Sequence, residues 1–222
     1  ESGGTTVTYT LSYDNDNRVS EISADDLNKN RSRFNYAPGL FTLDTYSDQW
    51  NGQLTSAIRT ELNNMGLPAS STQKLYDYTP GGQPPKLSAT VTSTYEYNSQ
   101  GELQLAKQKY EYVKTPASNY TQTTTYTWAN GNLVKEEVTG GTPTTYEYYT
   151  DKPFQKGDPI AINGLIMNGI NPVKNKNLVK SSSNGAVINN INYDYDESGK
   201  IKTAALTSTT AANNREQKYQ YS

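Results

Sequence analysis

Histidine and cysteine are both absent from the 222 residues. That removes the commonest general base, the Ser-His-Asp and Cys-His arrangements and the commonest zinc ligand. It also removes disulfides and thiolate metal sites. Carboxylate chemistry remains, in the manner of a glycosidase that sets two acids across a scissile bond. Its candidates are Asp25, Asp26, Asp44, Asp48, Asp158 and the glutamates. None of these has the apolar sequence context that raises a carboxyl pKa. They read as solvated or turn residues, and no catalytic residue is assigned. Asp194-Tyr195-Asp196-Glu197-Ser198-Gly199 opens like a calcium loop, with oxygen ligands at alternate positions and a glycine for the bend. The distant bidentate glutamate is missing, since Ala205 stands six positions after Gly199. This segment and Asp14-Asn15-Asp16-Asn17 therefore read as hairpin turns. No metal and no cofactor is expected.

Ligand contact has three candidates. Trp50 stands beside Tyr46, Asp48, Gln49 and Asn51, an aromatic ring amid hydrogen-bonding groups, so Trp50 and Tyr46 are named first. Trp128 is the third. Flat rings beside amides suit the apolar faces of sugars. The same rings also stiffen a sheet by packing across strands.

The elements that would carry these residues are strands. Aromatic residues recur two positions apart as Phe34/Tyr36, Tyr76/Tyr78, Tyr95/Tyr97, Tyr110/Tyr112, Tyr126/Trp128, Tyr146/Tyr148, Tyr193/Tyr195 and Tyr219/Tyr221. Positions i and i+2 share one face of a strand. Each pair thus marks a strand with one aromatic face, and the pairs are too many to serve one site. Polar turns such as Asn98-Ser99-Gln100-Gly101 and Asn130-Gly131 separate the alternating runs, as tight hairpins require. Leu103 and Leu105 are out of phase with Tyr110 and Tyr112. Either that Tyr pair faces the other side or a bulge near 106–109 restores the face, and the bulge is preferred.

Two stretches are less regular. Leu54, Ile58, Leu62 and Met65 have helical spacing, with Gly66 and Pro68 to stop a helix. The pattern Leu62-Asn63-Asn64-Met65-Gly66 matches Tyr195 to Gly199, and a hairpin is the preferred reading. An irregular apolar insertion spans about 152–178 and carries Ile160, Ile162, Leu165, Ile166, Met167 and Ile170. It is expected to cover part of the sheet, because an uncovered patch of that kind aggregates. Residues 1–6 read as a flexible tether and 7–222 as a single β-meander domain.

Net charge is −2 and the pI about 5.3, which argues against nucleic acid, whose phosphates need a basic face. Apolar residues make up 33% and mean hydropathy is −0.85, too little aliphatic material for a deep core. A wide, thin sheet with half-exposed Tyr and Thr fits. No apolar run is long enough for a membrane-spanning helix. The small, polar start is like that of a secreted or lipid-anchored protein, and an ordinary cytosolic fragment would look the same.

The turn grammar resembles the YD repeats of Rhs-type proteins, in Tyr13-Asp14-Asn15-Asp16-Asn17-Arg18-Val19, Tyr97-Asn98-Ser99-Gln100-Gly101-Glu102-Leu103 and Tyr195-Asp196-Glu197-Ser198-Gly199-Lys200-Ile201. The whole chain is similar to a family of uncharacterised gut-bacterial surface lipoproteins with a porin-like β-fold. The Lys176-Asn177-Leu178 stretch and the closing repeat from Tyr193 carry that likeness. Asn17 replaces the usual turn glycine, and Pro68 sits where an apolar strand residue belongs.

The resemblance implies an all-β fold: one large antiparallel meander, strongly curved or a partial barrel, built from YD-like hairpins. It implies a secreted, outer-membrane or surface-anchored address, with membrane attachment only through a removed N-terminal lipid anchor. It supplies no catalytic residues. A membrane barrel needs an apolar outer band, and the alternate face here is Thr, Ser, Glu, Lys and Gln. The expected function is a non-enzymatic surface or periplasmic module, binding or scaffold, with a glycan or a surface protein as partner. The alternatives are a carbohydrate-binding surface protein and, behind it, a carboxylate-only glycoside hydrolase.

Overall fold

The structure, a computed structural model, describes residues 8–16, 18–25, 29–81, 83–155, 158, 173–210 and 214–218. Fifteen strands lie among them. The first five are β1 (Tyr9–Tyr13), β2 (Val19–Ala24), β3 (Asn30–Ala37), β4 (Leu40–Ser47) and β5 (Gln53–Leu62). The next five are β6 (Pro68–Asp77), β7 (Lys86–Tyr97), β8 (Leu103–Tyr112), β9 (Tyr120–Ala129) and β10 (Asn132–Val138). The last five are β11 (Thr144–Pro153), β12 (Asn177–Ser183), β13 (Ile188–Tyr195), β14 (Ile201–Ser208) and β15 (Arg215–Lys218). They hydrogen-bond in chain order, as an antiparallel meander. The segment with helical spacing is the β5–β6 hairpin, so its turn grammar outweighs its periodicity. The tether at 1–6, Asp26, the aliphatic residues 160–170 and the Tyr219/Tyr221 pair lie outside the described residues.

Four turns explain the repeat. In each, an Asp or Asn side-chain oxygen accepts the backbone N–H groups two and four residues on. Asp14 takes those of Asp16 and Arg18 at 2.9 and 2.9 Å. Asn63 takes Met65 and Leu67 at 2.9 and 3.0 Å. Asn98 takes Gln100 and Glu102 at 3.0 and 2.9 Å. Asp196 takes Ser198 and Lys200 at 2.9 and 2.9 Å. The same residue's own N–H donates to the carbonyl four residues on, at 2.8 to 3.0 Å. Only a short side chain with an acceptor at this reach can do both. Glycine takes the left-handed position at Gly66, Gly101 and Gly199, with φ of 70°, 79° and 79°, a conformation costly for a residue with a Cβ.

Bulges accompany these turns. The register shifts between Ser12 and Tyr13, Glu61 and Leu62, and Asp194 and Tyr195. The residue before the turn then pairs with the one five after the Asx: Tyr13 with Val19, Leu62 with Pro68, Tyr195 with Ile201. Pro68 fits there because it opens its strand, where a missing N–H is tolerated. In β8 the burial phase changes between Leu105 and Ala106, both at least half-buried. That is the face-restoring slip expected near 106–109, at its N-terminal limit.

The chain divides into two compact units, Glu1–Thr94 with Gln108–Thr121, and Tyr95–Lys107 with Gln122–Ser222. In the first, Phe41 and Leu43 are fully buried beside Phe34 and Ile58, and Phe41 packs its ring against Phe34 and Tyr36 at 6.0 and 5.3 Å between centroids. In the second, Leu178, Val179, Ile191, Tyr193, Ile201, Ala204 and Leu206 form one cluster, with Tyr146, Tyr148 and Tyr149 against it. The alternate face is polar: Thr92, Thr94, Glu96, Thr125 and Thr127 are exposed.

Candidate functional site

The fold uses most of the acids that could have done chemistry. Asp14 and Asp196 hold their turns, and Asp14 also pairs with Arg18 at 2.8 Å. Asp25 accepts the backbone N–H of Thr8. Hydrogen bonds hold these three carboxyls below their ordinary range: chiefly from Arg18 N–H for Asp14, Thr8 N–H for Asp25, and the Ser198 side chain for Asp196. Asp48 takes the guanidinium of Arg31 at 2.8 Å. Asp194 Oδ2 accepts Thr203 Oγ1 at 2.8 Å, so the segment that opens like a calcium loop is a hydrogen-bonded hairpin. Among the described residues no three acids gather into a metal-binding group.

Two acids depart from the sequence reading, which made all of them solvated or turn residues. Asp158 is buried, 2% exposed. Its Oδ2 accepts the Tyr193 hydroxyl at 3.1 Å and Val179 N–H at 3.3 Å. Lying within the irregular insertion, it carries no strand pattern that would betray burial against β12 and β13. Asp44 sits in the middle of β4, where burial pushes its carboxyl up. Its flanking residues Leu43 and Thr45 face the other side, so sequence neighbours mislead.

The aromatic pairs are mostly consumed as well. The carbonyl at the start of a strand that follows a turn is capped by an aromatic donor from the next strand. Tyr36 Oη donates to Val19 O at 2.9 Å, Trp128 Nε1 to Leu103 O at 2.7 Å and Tyr148 Oη to Leu133 O at 2.6 Å. Tyr146 Oη donates to Glu136 at 2.8 Å, Tyr149 Oη to Ile191 O at 2.9 Å, and Tyr193 Oη to Val179 O at 3.0 Å. Burial pushes the Tyr126 phenol up to about 12 and those of Tyr97, Tyr146 and Tyr148 higher. Trp128 thus spends its indole N–H on the β8–β9 pair. Two amide clamps were not legible in the sequence: Gln155 bonds Gly199 O and Ile201 N–H at 3.1 and 3.0 Å, and Asn175 accepts Leu133 N–H at 2.9 Å.

Trp50 has a different setting. It ends a short 3-10 turn, Asp48–Trp50, between β4 and β5. Asn51 follows with φ 54° and releases the chain into β5. The indole lies against Tyr78, at the tip after β6, with centroids 5.7 Å apart and planes 42° apart. Gln53 fixes the two tips to each other: its Nε2 donates to Thr79 O at 2.7 Å and its Oε1 accepts Thr79 N–H at 3.2 Å. Tyr78 is 42% exposed. Tyr46 is not part of this pair; its ring lies under the Arg33 guanidinium at 5.6 Å. Beside Tyr78, Asp77 takes Lys114 Nζ at 2.6 Å from the β8–β9 tip. That tip exposes Val113 and leads to Tyr120, which stacks on Tyr110 at 4.5 Å and 9°. The first unit thus carries a rim of hairpin tips with exposed rings, ion pairs and amides. Tyr78 is the member that sequence reasoning missed, because it was counted with the strand pairs.

No family model and no curated protein matches the sequence. Solved structures are similar. A porin-like protein from Bacteroides uniformis matches at TM-score 0.56 and 15% identity, over 96% of this chain and 87% of that one. A porin-like protein from Bacteroides vulgatus matches at 0.41 and 13%, over 96% of each chain. A chain of the TcdB2–TccC3–Cdc42 structure matches at 0.37 and 18%, over 100% of this chain and 11% of that one. The first likeness supports the porin-like, all-β fold; identities this low say nothing of activity.

Proposed function

We propose that this chain is a non-enzymatic, surface-anchored β-sheet module that binds or displays. The observation that carries this reading is that five aspartates among the described residues are already engaged by the fold. Asp14, Asp25, Asp48, Asp158 and Asp196 are held by backbone, arginine or tyrosine, and the hydroxyls of Tyr36, Tyr148 and Tyr193 cap carbonyls. A glycosidase needs two acids left available across a cleft. The polar exposed face of Thr92, Thr94, Thr125 and Thr127 suits water rather than lipid tails. The surface-related address rests on the likeness in fold to a porin-like protein. A broad screen of glycan and peptide substrates should show no turnover. Robust hydrolysis abolished by Asp44→Asn would overturn the proposal.

A second reading is favoured by one observation, the Trp50–Tyr78 pair held by Gln53. An exposed Tyr78 ring beside a partly buried Trp50, flanked by amides, matches the apolar face and hydroxyl edge of a pyranose. On this reading the module binds carbohydrate at its hairpin tips. A glycan array should show binding that Trp50→Ala weakens while the strand spectrum is kept. A blank array leaves display, or a protein partner, as the role.

A further inference from the structure

The order of the sheet begins at β1 and ends at β15, and these strands differ in chemistry. β15 reads Arg-Glu-Gln-Lys, with Glu216 and Lys218 ion-paired at 3.0 Å; charge of this kind blunts a sheet edge against further pairing. β1 reads Tyr-Thr-Leu-Ser-Tyr, carries no charge and is exposed along its whole length. Its register, Tyr9 opposite Ala24 and Leu11 opposite Ile22, puts the odd side chains on the apolar face that buries Ile22 to 4% exposure. Yet Tyr9, Leu11 and Tyr13 are 46%, 37% and 58% exposed. The apolar face runs to β1, and among the described residues no strand pairs beyond it.

The peptide groups agree with the side chains. Asp25 N–H donates to Thr8 O at 3.0 Å. Antiparallel alternation then turns the peptide groups of Thr8, Thr10 and Ser12 toward β2, and those of Tyr9, Leu11 and Tyr13 away from it. We infer that β1 is a self-association edge, through which two copies of this chain join their sheets antiparallel about a two-fold axis at Leu11. The strand reads almost the same in both directions, so antiparallel self-pairing is self-complementary. Leu11 meets Leu11 of the second copy, and Tyr9 meets Tyr13. The outward residues provide about six N–H···O bonds in this register, and Tyr–Tyr and Leu–Leu cross-strand pairs extend the apolar row. One surface serves both copies, as a two-fold contact requires. Pairing β1 with a second copy's β15 would instead set an apolar strand against charges and propagate head to tail. A contact of one short strand predicts a weak, concentration-dependent dimer.

The chain has no cysteine, so Leu11→Cys introduces one thiol per copy. A hydrogen-bonded antiparallel pair has its Cα atoms about 5.5 Å apart, within reach of a disulfide. Mild oxidation of Leu11→Cys should give a covalent dimer, and Lys218→Cys at the other edge should give none above background. In sedimentation velocity the unsubstituted chain should shift toward dimer as concentration rises. Leu11→Lys should stay monomeric with an unchanged strand spectrum; if that variant misfolds, the cross-linking comparison decides. A monomer at every concentration, equal cross-linking at the two edges, or a ladder of higher species would each overturn the inference.

Discussion

Trp128 and Trp50 differ in what their rings and N–H groups meet. Trp128 gives its indole N–H to Leu103 O at 2.7 Å, capping the strand that follows the Asn98 turn. Trp50 lies at a hairpin tip, its ring against Tyr78, and among the described residues its N–H serves no ladder carbonyl. The acids show the same contrast: Asp196 spends one carboxylate oxygen on two backbone N–H groups, whereas Asp44 is pushed up by burial alone. Residue type does not mark a site in this chain. What matters is the bonding capacity a residue has left once the sheet has used it.

The largest effect that sharpens this contrast should come at high pH. Tyr97, Tyr126, Tyr146 and Tyr148 have phenols raised by burial, so the folded state keeps protons that the unfolded chain releases near pH 10. Their stabilisation is full below about pH 10 and is lost as pH rises through the folded values. For Tyr126, raised to about 12, that is about 2–3 kcal/mol. Urea midpoints should fall steeply above about pH 10, together with the appearance of tyrosinate absorbance. A flat profile would show that these rings are not held by the fold.

Next in size is Tyr148→Phe, which leaves Leu133 O without its donor at 2.6 Å and should cost about 1–3 kcal/mol in urea unfolding. Tyr78→Phe at the tip should cost almost nothing. Equal losses would erase the distinction between capping and rim aromatics. Asn98→Ala removes the acceptor of two backbone N–H groups and should cost about 1 kcal/mol; Asn98→Asp keeps that oxygen but sets a carboxylate against Glu102, which now accepts Asn98 Nδ2 at 2.7 Å, so it should recover only part of the loss. The smallest effect should appear in acid. Asp25 is an exposed carboxyl and Asp14 and Asp196 are partly exposed ones, all three with depressed pKa values. Their contribution is present above the unfolded value near 4 and fades as pH falls through the folded values. The drop in thermal midpoint should be shallow and should shrink further in Asp14→Asn.

Much of the fold could be read in advance, because period-two alternation and Asx-Gly turns are local. The β5–β6 hairpin was legible from Asn63 and Gly66 despite its helical spacing, and the slip in β8 from the parity of Leu105 against Tyr110. The capping role of Tyr36, Trp128 and Tyr148 was not, because it depends on which carbonyl a bulge leaves facing the neighbouring strand. The burial of Asp158 and the clamps of Gln155 and Asn175 join residues 21 to 46 positions apart, beyond any local pattern. At the candidate site, Trp50 was picked out by its polar neighbours. Tyr78 reaches it only because β5 and β6 pair and bring their tips together.

Urea unfolding of Trp128→Ala beside Trp50→Ala tests the account most directly, since it compares the same deletion at a consumed ring and at one left available. Trp128→Ala should lose about 3 kcal/mol, and Trp50→Ala should stay within about 0.5 kcal/mol of the parent. A larger loss at Trp50 than at Trp128 would contradict it.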